Sequence, residues 1–180
     1  MLSTFFSLPI DGNLRMWEMV FSHFSKELMT YMTVCSPTIE KLLTAGTTVI
    51  CDRYAFSGVA FSASKVTPLG KAVLPFEWCR SPDIGLPAPD LVIFLDITPE
   101  VAKERGGYGQ ERYEKEEMQL RVRKFFHQIG SEVIETNEGT RWVLIDAGRT
   151  RDEVAEDVWK LVEPLVKEGV HGAPLKLWTP

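Results

Sequence analysis

The sequence has 180 residues, a formal net charge of −5 and 44% apolar side chains. This length allows one domain with a sizeable core and is too short for two, and the negative charge argues against a nucleic-acid partner. No apolar run approaches the ~18 residues of a membrane span, and the amino end lacks the basic pattern of signal and transit peptides. We therefore expect a protein of the cytoplasm, with the nucleus as a second location, and no membrane partner.

The cysteines and histidines do not suggest a metal site. Cys35, Cys51 and Cys79 form no Cys-x-x-Cys motif, and the three histidines are scattered along the chain. We expect the cysteines to be buried thiols in a reducing compartment.

Residues 1–35 form an atypical amino-terminal segment. Apolar side chains recur at helical spacing from Leu14 to Tyr31, but other apolar residues lie between them, so a helix would expose apolar surface. We favour a helix or tail without chemistry of its own over a docking helix.

After residue 35, strand and helix patterns alternate, which indicates an α/β protein with three layers around a parallel sheet. Serine or threonine caps followed by proline mark two helix starts, and one Thr-x-x-Glu capping box marks a third. Arg121, Arg123 and Lys124 fall on the polar face of one helix and are expected to be solvated. The predicted strands are residues 47–51, 90–96 and 141–146, and the helices cover residues 36–43, from 98, 118–133 and from 150.

The end of the first predicted strand carries the most informative residues. Asp52 and Arg53 follow it directly, and ligands of open α/β sheets bind just outside the carboxyl ends of the strands. A carboxylate can hold a metal ion or its water there, and a guanidinium can bind a phosphate through two parallel hydrogen bonds. An isolated Asp–Arg pair is more often a surface salt bridge, so the pair alone leaves both roles open.

A second group of candidates lies in a glycine-rich loop. Three glycines occur in four positions after Arg105, and Arg112 follows them. Such loops can cover a phosphate site and stabilise its charge, although most glycine-rich loops are simply solvated.

Residues 52–61 closely resemble the signature segment of thymidylate kinases, the nucleoside monophosphate kinases that phosphorylate dTMP. The resemblance covers residues 36–180, which we take as one thymidylate-kinase-like domain. It implies a P-loop-kinase-like fold, transfer of the γ-phosphoryl group from ATP to dTMP with Mg²⁺, formation of dTDP, and a homodimer. Further matching motifs lie at residues 78–79, 82–87, 89–92, 105–106 and 111–114.

The resemblance also implies roles for individual residues. Asp52 would act beside the nucleophile and hold Mg²⁺ indirectly, Arg53 would bind the dTMP phosphate, and Arg105 would act from a lid at about residues 105–113. The other implied site residues are Phe61, Tyr113 and Gln119 for dTMP and Arg105, Arg112, Asp146, Ala147 and Gly148 for ATP.

The 180 residues contain no Gly-x-x-x-x-Gly-Lys-Ser/Thr motif, the loop that cradles the phosphates of ATP in P-loop kinases. The expected fold therefore lacks its first strand and its P-loop, which should leave apolar sheet edges exposed. Three interpretations stay open: an active kinase, a non-catalytic remnant that binds a nucleotide or a partner, and a misread gene in which residues 1–35 are foreign to the natural protein.

Overall fold

The computed structural model describes residues 27–105, 116–136, 139–168 and 173–179, with side chains from residue 36 onward. Helices and two strands alternate along this part of the chain, as expected for an α/β protein. The elements are α1 (Glu27–Thr44), α2 (Ala55–Ala63), α3 (Phe76–Arg80), a 3₁₀ turn (Ser81–Asp83), β1 (Leu91–Asp96), α4 (Pro99–Glu104), α5 (Glu116–Thr136), β2 (Arg141–Asp146) and α6 (Arg151–Glu168).

The two strands form a parallel pair. They are in register from Leu91 opposite Arg141 to Asp96 opposite Asp146, so their carboxyl ends meet at one edge. A parallel pair needs a long crossover connection, and α4 and α5 lie in that connection. The α/β class, the parallel sheet and two of the three expected strands are therefore confirmed.

The strand expected at residues 47–51 is not formed. These residues belong to no strand, and β1 and β2 pair with each other in the described part of the chain. An apolar run becomes a strand only where a neighbouring strand supplies hydrogen bonds. Ile50 is 41% exposed and Leu95 of β1 is 43% exposed, as expected for a sheet that lacks a covering strand.

Helix α1 corrects the expected helix start at Ser36. The helix already runs from Glu27 and contains Pro37 in its interior. The hydroxyl of Ser36 donates to Oε1 of Glu40 at 3.2 Å instead of capping a first turn. Because the preceding residues also have helical spacing, the chain continues the helix through a proline that costs one backbone hydrogen bond.

The expectation that the three cysteines are buried holds at one of the three positions. Cys79 is buried and Cys51 is exposed, because no strand forms at residues 47–51. The side chain of Cys35 lies outside the described residues.

Helix α2 lies in the centre of the core. Phe56 is 4% exposed, and Val59 and Ala60 are fully buried. The ring of Phe56 meets Trp142 edge-on at 5.4 Å and Trp178 edge-on at 5.7 Å. Helix α5 packs against α2 with buried apolar side chains. The packing of these two helices and the two tryptophans therefore fixes the position of the residues at the amino end of α2.

The carboxyl-terminal tail is bound to the segment before β1. The amide of Leu177 donates to the carbonyl of Leu86 at 2.8 Å, and the carbonyl of Leu177 accepts from Gly85 at 2.9 Å. Leu177 is 4% exposed, and Trp178 packs on Phe56. Trp178 therefore holds the tail against the core.

Two predicted helix starts have the expected capping bonds. Thr98 accepts a hydrogen bond from the amide of Val101 at the start of α4. In the capping box of α6, Thr150 Oγ1 accepts from the amide of Glu153 at 3.4 Å, and Glu153 Oε2 accepts from the amide of Thr150 at 3.0 Å. None of the helices within the described residues combines the length and apolarity needed to span a bilayer.

Candidate functional site

Arg53 is held in a rare backbone conformation at the amino end of α2. It directly precedes the N-cap residue Tyr54, and its φ angle is 63°, in the left-handed region that non-glycine residues rarely adopt. Its guanidinium carbon lies 5.5 Å from the centre of the Phe61 ring. Strained non-glycine conformations of this kind cost about 1–3 kcal/mol and concentrate at binding sites.

Tyr54 anchors this end of α2. Its hydroxyl donates to the carbonyl of Pro87 at 3.0 Å. Burial raises the pKa of Tyr54, with smaller contributions from nearby Cys51, Asp83 and Glu40, so the phenol stays protonated and keeps donating this bond. Tyr54 therefore fixes the backbone next to Arg53.

Asp52 is exposed beside Arg53. Within the described residues, no three His, Cys, Asp or Glu side chains are grouped so that they could hold a metal ion. Mg²⁺ keeps several waters and commonly uses one or two carboxylates together with substrate phosphates. A single exposed carboxylate next to an exposed arginine fits that indirect mode of binding and does not fit an all-protein cage.

A tight turn follows β2 at the carboxyl edge of the sheet. The amide of Gly148 donates to Oδ1 of Asp146 at 2.7 Å, and the amide of Ala147 donates to the carbonyl of Asp96 at 2.7 Å. A Cβ atom at position 148 would lie 3.0 Å from Asp146 Oδ1, so glycine leaves room for this turn. We call residues 146–148 the β2 turn.

Arg105 contacts the residue that follows the β2 turn. One of its terminal nitrogens donates to the carbonyl of Arg149 at 2.5 Å, and Arg149 in turn pairs with Asp157 of α6 at 2.7 Å. Arg105 is the C-cap of α4 and is exposed, so its charge is available at this edge of the sheet.

The structure thus shows two groups of the expected site residues. Arg53 follows Asp52 just before α2, and its guanidinium lies over the ring of Phe61 in the last turn of the same helix. Arg105 instead contacts the residue that follows the β2 turn. Gln119 is half-buried near the start of α5, and its side chain makes no hydrogen bond within the described residues. Arg112 and Tyr113, expected to serve ATP and dTMP, lie outside the described residues.

One group of residues at the sheet edge was missed by the sequence analysis. Nε and Nη2 of Arg123 donate to the two carboxylate oxygens of Asp96 at 2.6 and 2.7 Å, and His127 Nε2 lies 3.3 Å from Asp96 Oδ2. Arg123 is therefore not simply solvated, and Arg121 also departs from expectation because its Nε donates to the carbonyl of Ser64 at 3.0 Å. The only available signal was the i, i+4 spacing of Arg123 and His127, which places both on one face of a helix.

Asp83, in the motif before β1, is a buried carboxyl group without a charged partner in the described part of the chain. It is 6% exposed at the end of the 3₁₀ turn. Burial raises its pKa from an ordinary value of 3.8 to about 6. The folded protein therefore binds a proton here that the unfolded chain releases between about pH 4 and pH 6.

This proton uptake predicts a pH-dependent effect of Asp83→Asn. The free energy of unfolding of the wild type should fall as pH rises from 4 to 6, because the charged form is disfavoured in the folded state. We expect Asp83→Asn to be more stable than the wild type by about 2 kcal/mol at pH 7.5 and equally stable at pH 4. Urea unfolding at both pH values measures this, with the exposed Asp90→Asn as the matched control. A difference that is the same at both pH values would contradict it.

Comparison with known proteins identifies the family. A family model described as thymidylate kinase matches residues 22–158. The thymidylate kinase of Arabidopsis thaliana is 45% identical over 139 residues, which cover 77% of this chain and 47% of that protein. The thymidylate kinase of Schizosaccharomyces pombe is 48% identical over 124 residues, covering 69% of this chain and 55% of that protein.

A solved structure agrees with the sequence relatives. The thymidylate kinase of Candida albicans matches with a TM-score of 0.67 and 28% identity, over 82% of this chain and 69% of that chain. The fold is therefore that of the P-loop kinases. Within this class, the chain belongs to the thymidylate kinase family, and it spans about half the length of the curated relatives named above.

Proposed function

We propose that this chain serves the phosphorylation of dTMP by ATP, and that Arg53 and Phe61 form its dTMP site. The observation that carries the proposal is the left-handed backbone of Arg53 just before α2, with its guanidinium over the ring of Phe61. A guanidinium suits a phosphate because it can donate two parallel hydrogen bonds.

We assign the remaining residues according to what phosphoryl transfer requires. The reaction depends on positioning of the reacting groups and on stabilisation of the charge on the phosphates. Arg53 binds and orients the acceptor phosphate, and Asp52 lies beside it as the carboxylate that holds Mg²⁺ through water. Mg²⁺, when bound, neutralises charge on the phosphates. The β2 turn lines the site for the base of ATP, and Arg105 brings positive charge to that side. The homodimer and the cytoplasmic location stay predictions.

A second function, dTMP binding without turnover, is favoured by one observation. The sequence contains no Gly-x-x-x-x-Gly-Lys motif, so the ATP phosphates lack that cradle in these 180 residues. Loss of a single donor to a developing negative charge commonly lowers a rate by ~100- to 1,000-fold. This alternative predicts normal affinity for dTMP and no product.

The binding experiment compares dTMP with thymidine, which lacks the phosphate. We expect Arg53→Ala to weaken dTMP binding by about 30-fold, as the loss of charge-assisted hydrogen bonds implies, and to leave thymidine binding unchanged. Arg53→Lys should recover part of the affinity, because lysine keeps the charge without the paired geometry. Calorimetric titration measures both ligands, and the exposed Lys124→Ala is the control. Equal dTMP affinity of Arg53→Ala and the wild type would refute the site.

Turnover separates the two functions. ADP and dTDP are measured with ATP and Mg²⁺ in the presence and absence of dTMP. Formation of both products that requires dTMP and is lost in Arg53→Ala supports the kinase. Binding of dTMP without either product supports the non-catalytic function, and absence of both binding and products refutes both.

A further inference from the structure

Asp96 joins three elements at the carboxyl edge of the sheet. It is the last residue of β1, its backbone carbonyl accepts from Ala147 of the β2 turn, and its carboxylate binds Arg123 of α5 through two hydrogen bonds. The side chain of Asp96 is 10% exposed and that of Arg123 is 35% exposed. The pair is thus a largely shielded connection between the sheet and α5.

This ion pair is expected to contribute more to stability than a surface ion pair does. Two short parallel bonds between a guanidinium and a carboxylate are the strongest form of side-chain ion pair. Removal of Arg123 takes the main charged partner from a shielded carboxylate, which keeps the neighbouring His127 at 3.3 Å. The Lys103–Glu116 pair has both side chains about half exposed, at 49% and 50%, and exposed pairs contribute little. Burial by itself raises the pKa of Asp96. The hydrogen bonds and the positive charge of Arg123 have the larger effect and keep the pKa of Asp96 below its usual range.

The start of α5 is held from two sides. Arg123 binds the sheet through Asp96, and Arg121 donates to the carbonyl of Ser64, the C-cap of α2. Gln119 precedes Arg123 by four residues, so the two lie on one face of α5 about 6 Å apart along the axis. The contact that Arg123 makes one turn further along therefore also restrains the backbone at Gln119.

We propose that Asp96 and Arg123 are positioning residues for the nucleotide site: by fixing α5 to the end of β1, they hold Gln119 where it can contact the nucleoside of dTMP. The inference rests on the proposed function, in which Phe61 is assigned to dTMP, and on the dTMP role that the family resemblance implies for Gln119. Neither Asp96 nor Arg123 touches the nucleotide. Their loss therefore acts on the nucleoside part of the ligand, whereas loss of Arg53 acts on the phosphate.

The test compares two ion pairs made by the same helix. Arg123→Met removes the charge but keeps the length of the side chain, and Arg123→Lys keeps the charge but not the paired hydrogen bonds. Glu132→Gln is the matched control, because Glu132 of α5 pairs with Arg80 at 3.0 Å, and the side chains of Glu132 and Arg80 are 33% and 19% exposed. Affinity for dTMP and for thymidine is measured by calorimetric titration, together with the unfolding temperature of each variant.

We expect Arg123→Met to weaken dTMP and thymidine binding alike, each by about tenfold, and Arg123→Lys to fall between this variant and the wild type. Glu132→Gln should lower the unfolding temperature without changing either affinity. If the wild type and Arg53→Ala behave as proposed but Arg123→Met and Arg123→Lys bind like the wild type, the pair is only structural and the inference is wrong. If the wild type does not bind dTMP, the proposed function fails and this inference fails with it.

Discussion

Phe56→Ala is expected to lower the free energy of unfolding by about 4 kcal/mol, in the range found when a buried aromatic side chain is truncated. Phe56 is 4% exposed and contributes the central ring between Trp142 and Trp178. Both ring pairs are edge-on, with interplanar angles of 88° and 89°, and each adds about 1 kcal/mol beyond burial. A domain is commonly stable by only ~5–15 kcal/mol, so this loss should be obvious in urea unfolding.

Two further variants test the origin of this loss. Phe56→Leu keeps most of the buried volume and loses the ring contacts, so we expect a smaller loss of about 1–2 kcal/mol. Leu69→Ala removes an aliphatic side chain that is 86% exposed and should leave the unfolding midpoint unchanged. A Phe56→Ala midpoint equal to that of the wild type would show that α2 is not the centre of the core.

The two observed strands could be predicted from the sequence because their signal is local. Residues 91–96 and 141–146 are nearly continuous apolar runs that end in aspartate, the pattern of buried parallel strands. The helix starts at Thr98 and Thr150 were equally predictable, since a cap bonds to a residue three positions further along. For both caps, the sequence contains the two partners within a few residues.

The run at residues 47–51 has a similar composition but forms no strand, which shows what local patterns leave open. Pairing depends on a neighbour that is distant in sequence, and composition does not reveal whether that neighbour is available. Helix α2 was missed for a related reason. Its residues are small or apolar, it has no side-chain cap, and it is stabilised by burial against α5 and the two tryptophans.

The candidate site also combines features that the sequence indicates with features that it does not reveal. Asp52 and Arg53 were expected directly after a strand at residues 47–51, and that strand does not form. The resemblance of residues 52–61 singles out the two residues, but the backbone conformation of Arg53 could not be read from it. Arg123 was assigned to a solvated face because periodicity gives the direction of a side chain and not what lies opposite. Its partner Asp96 is 27 residues away, and only the packing of α5 on β1 brings the two charges together.

Gly130→Val is expected to lower the free energy of unfolding by about 3 kcal/mol, because Gly130 lies where α5 meets Trp142. A Cβ atom at position 130 would be 2.5 Å from Nε1 and 2.8 Å from Cε2 of the Trp142 indole. Helix propensity alone favours valine over glycine by a few tenths of a kcal/mol, but overpacking of a close-packed core costs about 1–3 kcal/mol or more. The indole cannot easily move, since it packs against Phe56 and Phe94.

Removal of the Trp142 indole tests whether it causes the expected loss of stability in Gly130→Val. In a Trp142→Leu background the indole is absent, so the added cost of Gly130→Val should fall below about 1 kcal/mol in a double-mutant cycle. Ser131→Val, at the exposed next position of α5, measures the effect of a β-branched residue on the helix alone and should cost less than about 0.5 kcal/mol. A cost of Gly130→Val that is the same with and without the indole would place the strain in the backbone of α5, and the close approach of α5 to β2 would not be the reason for glycine at this position.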